Sequence, residues 1–277
     1  MKLTYKIIIA AMCFIATLGV IGSGSLLIEN NPAENQNTTI PDNPDNEEVI
    51  PPGDNLPPPP APAPTVQYDL LIKIKGSVVY LLRDMNSVSK VVGKVYQNDM
   101  LPLIDEFNGF YQTIFNHRIV YVAKNSDVEI AKFEKSDAAV ERLIEEAKKL
   151  IGVPYLLGAE RYHWGNGIKN PNFSKNLFDC SSFTQYVYYI SNNVLLDTTS
   201  RSQSVQGKYV SKTNIKRGDL MFFTNSVRFD NVGIERIGHV AIYLGNNYII
   251  HTSHDYAIIE PISNTRWSYY ITTRRFL

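Results

Sequence analysis

The sequence predicts an α+β protein in which a small all-β barrel precedes a larger domain of helices and strands. Three patterns predict it. Six short β-branched or aromatic runs crowd into residues 68–131, residues 136–151 carry a helical apolar period, and a capped helix start at Asp179 is followed by a hairpin pattern toward the C-terminal end. Length and composition agree. The chain has 277 residues, 44% hydrophobic and 19% charged, enough apolar material for one or two cores and too much for wholesale disorder. A single long apolar run excludes a polytopic membrane protein. Two cysteines, Cys13 and Cys180, exclude a disulfide framework, because Cys13 lies inside that run.

The zero net charge is unevenly spread. Residues 1–28 hold Lys2 and Lys6 and no acid, residues 29–67 hold seven acids and no base, and the remainder carries +5. The net charge of zero argues against a nucleic-acid partner, while the +5 leans mildly toward anionic partners. Lys2 and Lys6 precede an apolar stretch from Ile7 to Ile21 and then the small residues Gly22 to Ser25. This pattern over residues 1–28 fits both a cleaved secretory signal and a retained membrane anchor, and in either case the rest of the chain is exported. Residues 29–67 hold eleven of the 15 prolines and read as an extended, disordered tether, roughly 120 Å long at about 3.1 Å per residue.

The barrel strands are read at Leu70–Ile74, Val78–Leu82, Val91–Tyr96, Met100–Ile104, Phe110–Phe115 and Ile119–Ala123. Asn108-Gly109 between two such runs is a strong hairpin signal. The following helix is capped by Ser136 and ended by Gly152 and Pro154. Its Val140, Leu143, Ile144, Ala147, Leu150 and Ile151 recur at spacings of three and four, which puts them on one face.

Chemistry concentrates after residue 150. Asp179 suits an N-cap, and Phe183, Val187 and Ile190 form an apolar stripe behind it, so Cys180 falls in the first turn of a helix. Unpaired N–H groups and the positive helix end favour a thiolate there. Downstream, Gly238–Leu244 and Tyr248–His251 flank a turn at Gly245-Asn246-Asn247. With a three-residue loop pairing Leu244 and Tyr248, Ala241 opposes His251. His239 and His251 are then diagonal neighbours on one face, about 7–8 Å apart at the backbone. One imidazole can act as base while the other orients it. A zinc site from Cys180, His239 and His251 lacks a fourth ligand, so neither metal nor cofactor is called for.

Two resemblances follow. Val92-Gly93-Lys94-Val95, Asn108-Gly109-Phe110-Tyr111-Gln112 and Tyr121-Val122 give residues 68–131 a resemblance to a bacterial SH3-like domain, with Val120 where that family has Gly. Residues 132–277 resemble an NlpC/P60 domain, a papain-like cysteine peptidase of bacterial cell walls. The motifs are Gly152-Val153-Pro154-Tyr155-Leu156-Leu157-Gly158, Asp179-Cys180-Ser181-Ser182-Phe183, Gly218-Asp219-Leu220-Met221-Phe222-Phe223 and Gly238-His239-Val240-Ala241-Ile242-Tyr243, with His251 as the third polar residue. Arg217 stands where the family has Pro, and residues 160–176, with Tyr162, His163, Trp164 and Phe173, form a longer loop than usual, read as a substrate wall or as packing.

The resemblance implies a monomeric, exported peptidoglycan endopeptidase acting on intact wall or released muropeptides. It would cut the stem peptide between γ-D-glutamate and the diamino acid through a thioester on Cys180, with His239 as base and His251 as orienter. Asp179, Ser181, Tyr155 and Ser200 are the substrate-binding candidates. A wall-binding or adhesion protein without catalysis, and an amidase or acyltransferase on the same fold, are the rival readings.

Overall fold

The computed structural model describes residues 65–277 apart from Ser87 and His254. The signal or anchor over residues 1–28 and nearly all of the tether lie outside the described residues. Among the described residues, no helix is long and apolar enough to cross a membrane.

Eight strands open the described chain: β1 (Tyr68–Ile74), β2 (Val78–Leu82), β3 (Val91–Tyr96), β4 (Met100–Pro102), β5 (Asp105–Phe107), β6 (Phe110–Phe115), β7 (Arg118–Ala123) and β8 (Val128–Glu134). Two of them exceed the six read from the sequence. β5 has two acids, Asp105 and Glu106, ahead of Phe107 and no β-branched residue; it is paired with β6 across the Asn108-Gly109 turn, where Asn108 and Gly109 both take positive φ. β8 occupies what the sequence reading took for a link, and pairs with β1 over seven residues from Tyr68↔Glu134 to Ile74↔Val128. The boundary drawn at residue 131 therefore falls inside a strand.

The rest of the chain follows as α1 (Ala138–Lys148), α2 (Cys180–Asn192), α3 (Ser200–Gln203), β9 (Lys208–Val210), β10 (Leu220–Phe223), β11 (His239–Gly245), β12 (Tyr248–Thr252), β13 (Ala257–Pro261), α4 (Asn264–Ser268) and β14 (Tyr270–Arg275). Two sheets result. One runs β3-β2-β7-β6-β5, and the other runs β8-β1-β4-β13-β12-β11-β10-β14-β9. The second sheet joins N-terminal strands to C-terminal ones through Ile259↔Met100, so the architecture is α+β with a shared sheet.

Helix starts follow their caps. α1 is capped by Asp137 rather than Ser136: its carboxylate accepts from Ala139 and Val140 N–H at 2.9 and 3.0 Å. Ser136 instead donates its backbone N–H to Glu141. The apolar face expected of this segment is buried, from Val140 through Ile151. Gly152 then turns at φ +83, where an added Cβ would come within 2.5 Å of Phe115 in β6, so only glycine fits this approach of the two halves. α2 buries Phe183, Val187 and Tyr188; Ile190, expected in that stripe, faces solvent. Tyr188 takes the inward place because its hydroxyl donates to the Gly218 carbonyl.

A buried ion-pair cluster crosses from the N-terminal strands to the C-terminal sheet. Asp69 in β1 binds Lys148 of α1 at 2.7 Å and Arg217 at 2.8 Å. Arg217 also binds Glu141 of α1 at 2.7 Å and donates to the Leu244 carbonyl in β11. Asp69 is 4% exposed, so its charge is sustained by these partners and not by water.

Candidate active site

Cys180 is the first residue of α2, and Asp179 builds the turn beneath it. One Asp179 oxygen accepts from the Ser181 and Ser182 N–H groups and from the Ser181 hydroxyl. The other takes an ion pair from Arg161 at 2.9 Å and the Gly158 N–H at 3.2 Å. Arg161 also donates to the Ser181 hydroxyl and to the Thr198 and Ala159 carbonyls. Sequence reasoning missed Arg161, which shares the 160–176 loop with two other cations, Lys169 and Lys175, and carries no motif of its own.

The Cys180 sulfur lies against β11, within hydrogen-bonding range of the Val240 N–H as well as that of Ser181. Burial pushes the thiol up to about 12, and the Asp179 carboxylate adds to the rise; the two N–H groups and the Arg161 charge act against it. Cys180 keeps partial access to solvent, which softens the rise without reversing it. Burial thus opposes the thiolate that the helix start favours. Alkylation of Cys180 by iodoacetamide is therefore expected to be slow at pH 7 and to climb through pH 9, because only the thiolate reacts. A rate that levels off below pH 6 would show a resting ion pair instead.

The two histidines meet as the hairpin register requires. β11 and β12 pair Ile242↔Ile250 and Tyr243↔Ile249, which aligns Ala241 with His251 as expected. The turn differs. It is the two-residue Asn246-Asn247, both at positive φ, and an irregularity between Tyr243 and Gly245 absorbs the extra residue, so Gly245 rather than Leu244 faces Tyr248. His239 Nε2 lies 2.9 Å from His251 Nδ1, with the rings nearly perpendicular. His251 is wholly buried. Burial holds its pKa below the ordinary imidazole value, partly offset by a hydrogen bond to Glu260.

Glu260 of β13, absent from the sequence reading, lies 2.9 Å from His251 Nε2 and 2.7 Å from the Arg266 guanidinium. Burial opposes its charge, yet the hydrogen bonds and positive charge of its partners hold it down to about 2. In a strand reading Ala-Ile-Ile-Glu-Pro, nothing in the sequence marks this carboxylate as turned inward.

A cavity of 440 Å³ opens beside His239, lined by Tyr155, Phe223, Ser253, Arg266 and Tyr269 among others. Of the four substrate-binding candidates, only Tyr155 lines it. Asp179 and Ser181 are engaged in the cap beneath Cys180, and Ser200 is buried at the first turn of α3. The 160–176 loop is packing. Phe173 stacks on Tyr186 of α2, Tyr162 meets the same ring edge-on, and His163 is fully buried, so the reading of this segment as a wall is left to exposed Trp164 and Ile168. Among the described residues, no three His, Cys, Asp or Glu side chains form a group that could hold a metal ion.

Similarity to known proteins points the same way. The chain is 31% identical over 136 residues to the gamma-DL-glutamyl hydrolase of Bacillus subtilis, covering 48% of this chain and 29% of that protein. It is 31% identical over 114 residues to the peptidoglycan DL-endopeptidase CwlO of Bacillus licheniformis, covering 40% and 24%. It is 30% identical over 172 residues to the gamma-D-glutamyl-L-lysine dipeptidyl-peptidase of Bacillus subtilis, covering 61% and 50%. The chain thus spans half or less of the length of these relatives. Residues 158–275, which contain Cys180, His239 and His251, match the model of the NlpC/P60 family.

Proposed function

We propose that the protein is an exported cysteine peptidase of peptidoglycan, cutting the stem peptide between γ-D-glutamate and the diamino acid. The observation that carries this reading is the His239–His251 pair at 2.9 Å, on the strand against which the Cys180 sulfur packs. The names of the relatives supply the substrate class: a peptidoglycan DL-endopeptidase and a γ-D-glutamyl-L-lysine peptidase.

In this reading Cys180 Sγ attacks the carbonyl carbon of the γ-D-glutamyl bond as the thiol proton passes to His239. A thiol held near pKa 12 needs that base at the moment of attack, since too little thiolate exists at rest. The backbone N–H of Cys180, at the start of α2, faces the developing oxyanion. The imidazolium returns its proton to the departing amine, and water then hydrolyses the thioester along the same route. Tyr155, on the cavity wall, would contact the peptide. Asp179 and Ser181 would act chiefly through the shape of the helix start.

The N-terminal strands would serve as an SH3-like module that closes one side of the cleft. Support comes from Tyr256, whose hydroxyl donates to the Lys94 carbonyl and whose ring packs edge-on against Phe115, next to the segment that leads to the site. Export would follow from the basic start and apolar run of residues 1–28. Mass spectrometry of muropeptides incubated with the full chain, wild type beside Cys180→Ala, tests the reading. New fragments ending in D-glutamate are expected with wild type only. Bound but uncut muropeptide with both proteins would favour a wall-binding role.

A further inference from the structure

The chain of polar groups behind His239 does not stop at His251. β12 and β13 pair His251↔Ile258 and Ile249↔Glu260, so His251 and Glu260 are diagonal neighbours on one face of the sheet. Arg266 reaches the same Glu260 oxygen from α4, giving a continuous line from His239 through His251 and Glu260 to Arg266. We propose that Glu260, clamped by Arg266, is a positioning residue that fixes both imidazoles as Nε2–H tautomers and so makes His239 Nδ1 the base nitrogen. The proposal rests on the cysteine-peptidase reading and extends it by one carboxylate.

The argument is one of proton counting. An ionised carboxylate can only accept, so the proton shared with Glu260 belongs to His251 Nε2. A neutral imidazole carries one N–H, which leaves His251 Nδ1 a lone pair. His239 Nε2, 2.9 Å away, must then donate to it. Neutral His239 has spent its only N–H, and Nδ1 is left as its basic nitrogen. Were His251 cationic, its Nδ1–H would donate to His239 Nε2, the basic nitrogen would be sealed inside the pair, and the base would face the wrong way.

Arg266 decides between these cases. Its positive charge keeps Glu260 ionised while opposing a second positive charge on His251, in the same direction as burial. The groups facing this relay are His239 from β11, Arg266 from α4, Asp99 from the turn before β4, and Tyr256 before β13. When His239 takes the thiol proton, its Nε2–H already points at His251 and the Glu260 carboxylate lies one imidazole away. The imidazolium is thus stabilised without any group having to turn.

Long-range proton–nitrogen NMR of the full chain, with nitrogen-labelled histidine, reads the tautomers directly and without substrate. Wild type is expected to show both His239 and His251 as Nε2–H near neutral pH. In Glu260→Leu, both signals should move toward mixed tautomers. Turnover should fall on the order of 10²-fold with KM little changed, as expected for a base no longer held ready. Glu260→Gln keeps an oxygen that Arg266 and His251 can share, so it should retain the tautomers and recover part of the rate. It lacks the negative charge that stabilises the His239 imidazolium, so the acid limb of kcat/KM should shift to lower pH. A wild-type His251 protonated on Nδ1 would overturn the proposal, as would tautomers and an acid limb that neither variant moves. If Glu260→Leu fails to fold, wild type and Glu260→Gln still decide. If wild type cuts no muropeptide, the peptidase reading fails on its own while the spectrum still judges the relay.

Discussion

Cys180→Ser is expected to reduce stem-peptide cleavage on the order of 10³-fold or more while leaving thermal stability almost unchanged. The two halves of this expectation have separate causes. The start of α2 is built by Asp179 and Ser182, whose side chains satisfy the N-terminal N–H groups, and the Cys180 side chain takes no part in that cap. Serine is also a comfortable residue in a first helical turn. Stability therefore has little to lose. Chemistry has much to lose, because a hydroxyl is a far weaker acid than even this raised thiol, and its shorter reach moves the nucleophile back from its carbonyl target. Steady-state kinetics on a purified muropeptide, beside a melting curve, checks both halves. Equal rates for wild type and variant would remove Cys180 from the chemistry. A large loss of melting temperature would mean that the cap does not stand alone as described.

Local signals in the sequence carried the site as far as the two histidines and no further. The order of Asp179, Cys180, His239 and His251 and the alternation along β11 and β12 are short-range patterns. They placed the imidazoles on one face even though the turn was misjudged, because the irregularity before Gly245 returns the strands to the same register. Glu260 and Arg266 could not be found this way. Each is an ordinary charged residue until β13 pairs with β12 and α4 folds back over it; both lie within nine residues of their partners, yet no motif marks the register or the turn that bring them together. The burial around the thiol was missed for a related reason. Helix position is local and argues for a thiolate, whereas burial, which opposes it, belongs to the packed site as a whole. The N-terminal strands were legible as strands, yet β1, β4 and β8 leave the other five for the C-terminal sheet, a link that hangs on Ile259↔Met100, a single bridge that no periodicity announces.

That continuation sets the other large expectation: the N-terminal strands and the C-terminal sheet should unfold together, and Arg217→Met should destabilise both. The described residues all fall in one compact unit, and the ion pairs of Arg217 tie its parts. The arginine replaces the proline of the related motif, so this chain exchanges a rigid turn for a guanidinium that binds Asp69 of β1 and Glu141 of α1 at once. Its own side chain is 6% exposed. Methionine would fill much of the volume but strand Asp69 and Glu141, and leaving a buried charge without its partner costs about 3–5 kcal/mol. In a unit of this size that is a drop of roughly 10 °C in melting temperature. Lys148 still holds one Asp69 oxygen, which keeps the loss toward the lower end. The same ties argue against cutting the chain at residue 131. Such a cut severs β8, removes β4 from beside β13, takes Asp69 from Lys148 and Arg217, and uncovers Gly152 where Phe115 packs. Calorimetry of residues 65–277 should show one transition, shifted downward as a whole in Arg217→Met. Residues 132–277 made alone should show none. Two separate transitions in the longer chain, with only one moved by the substitution, would mean that the shared sheet and the buried pairs leave the halves independent.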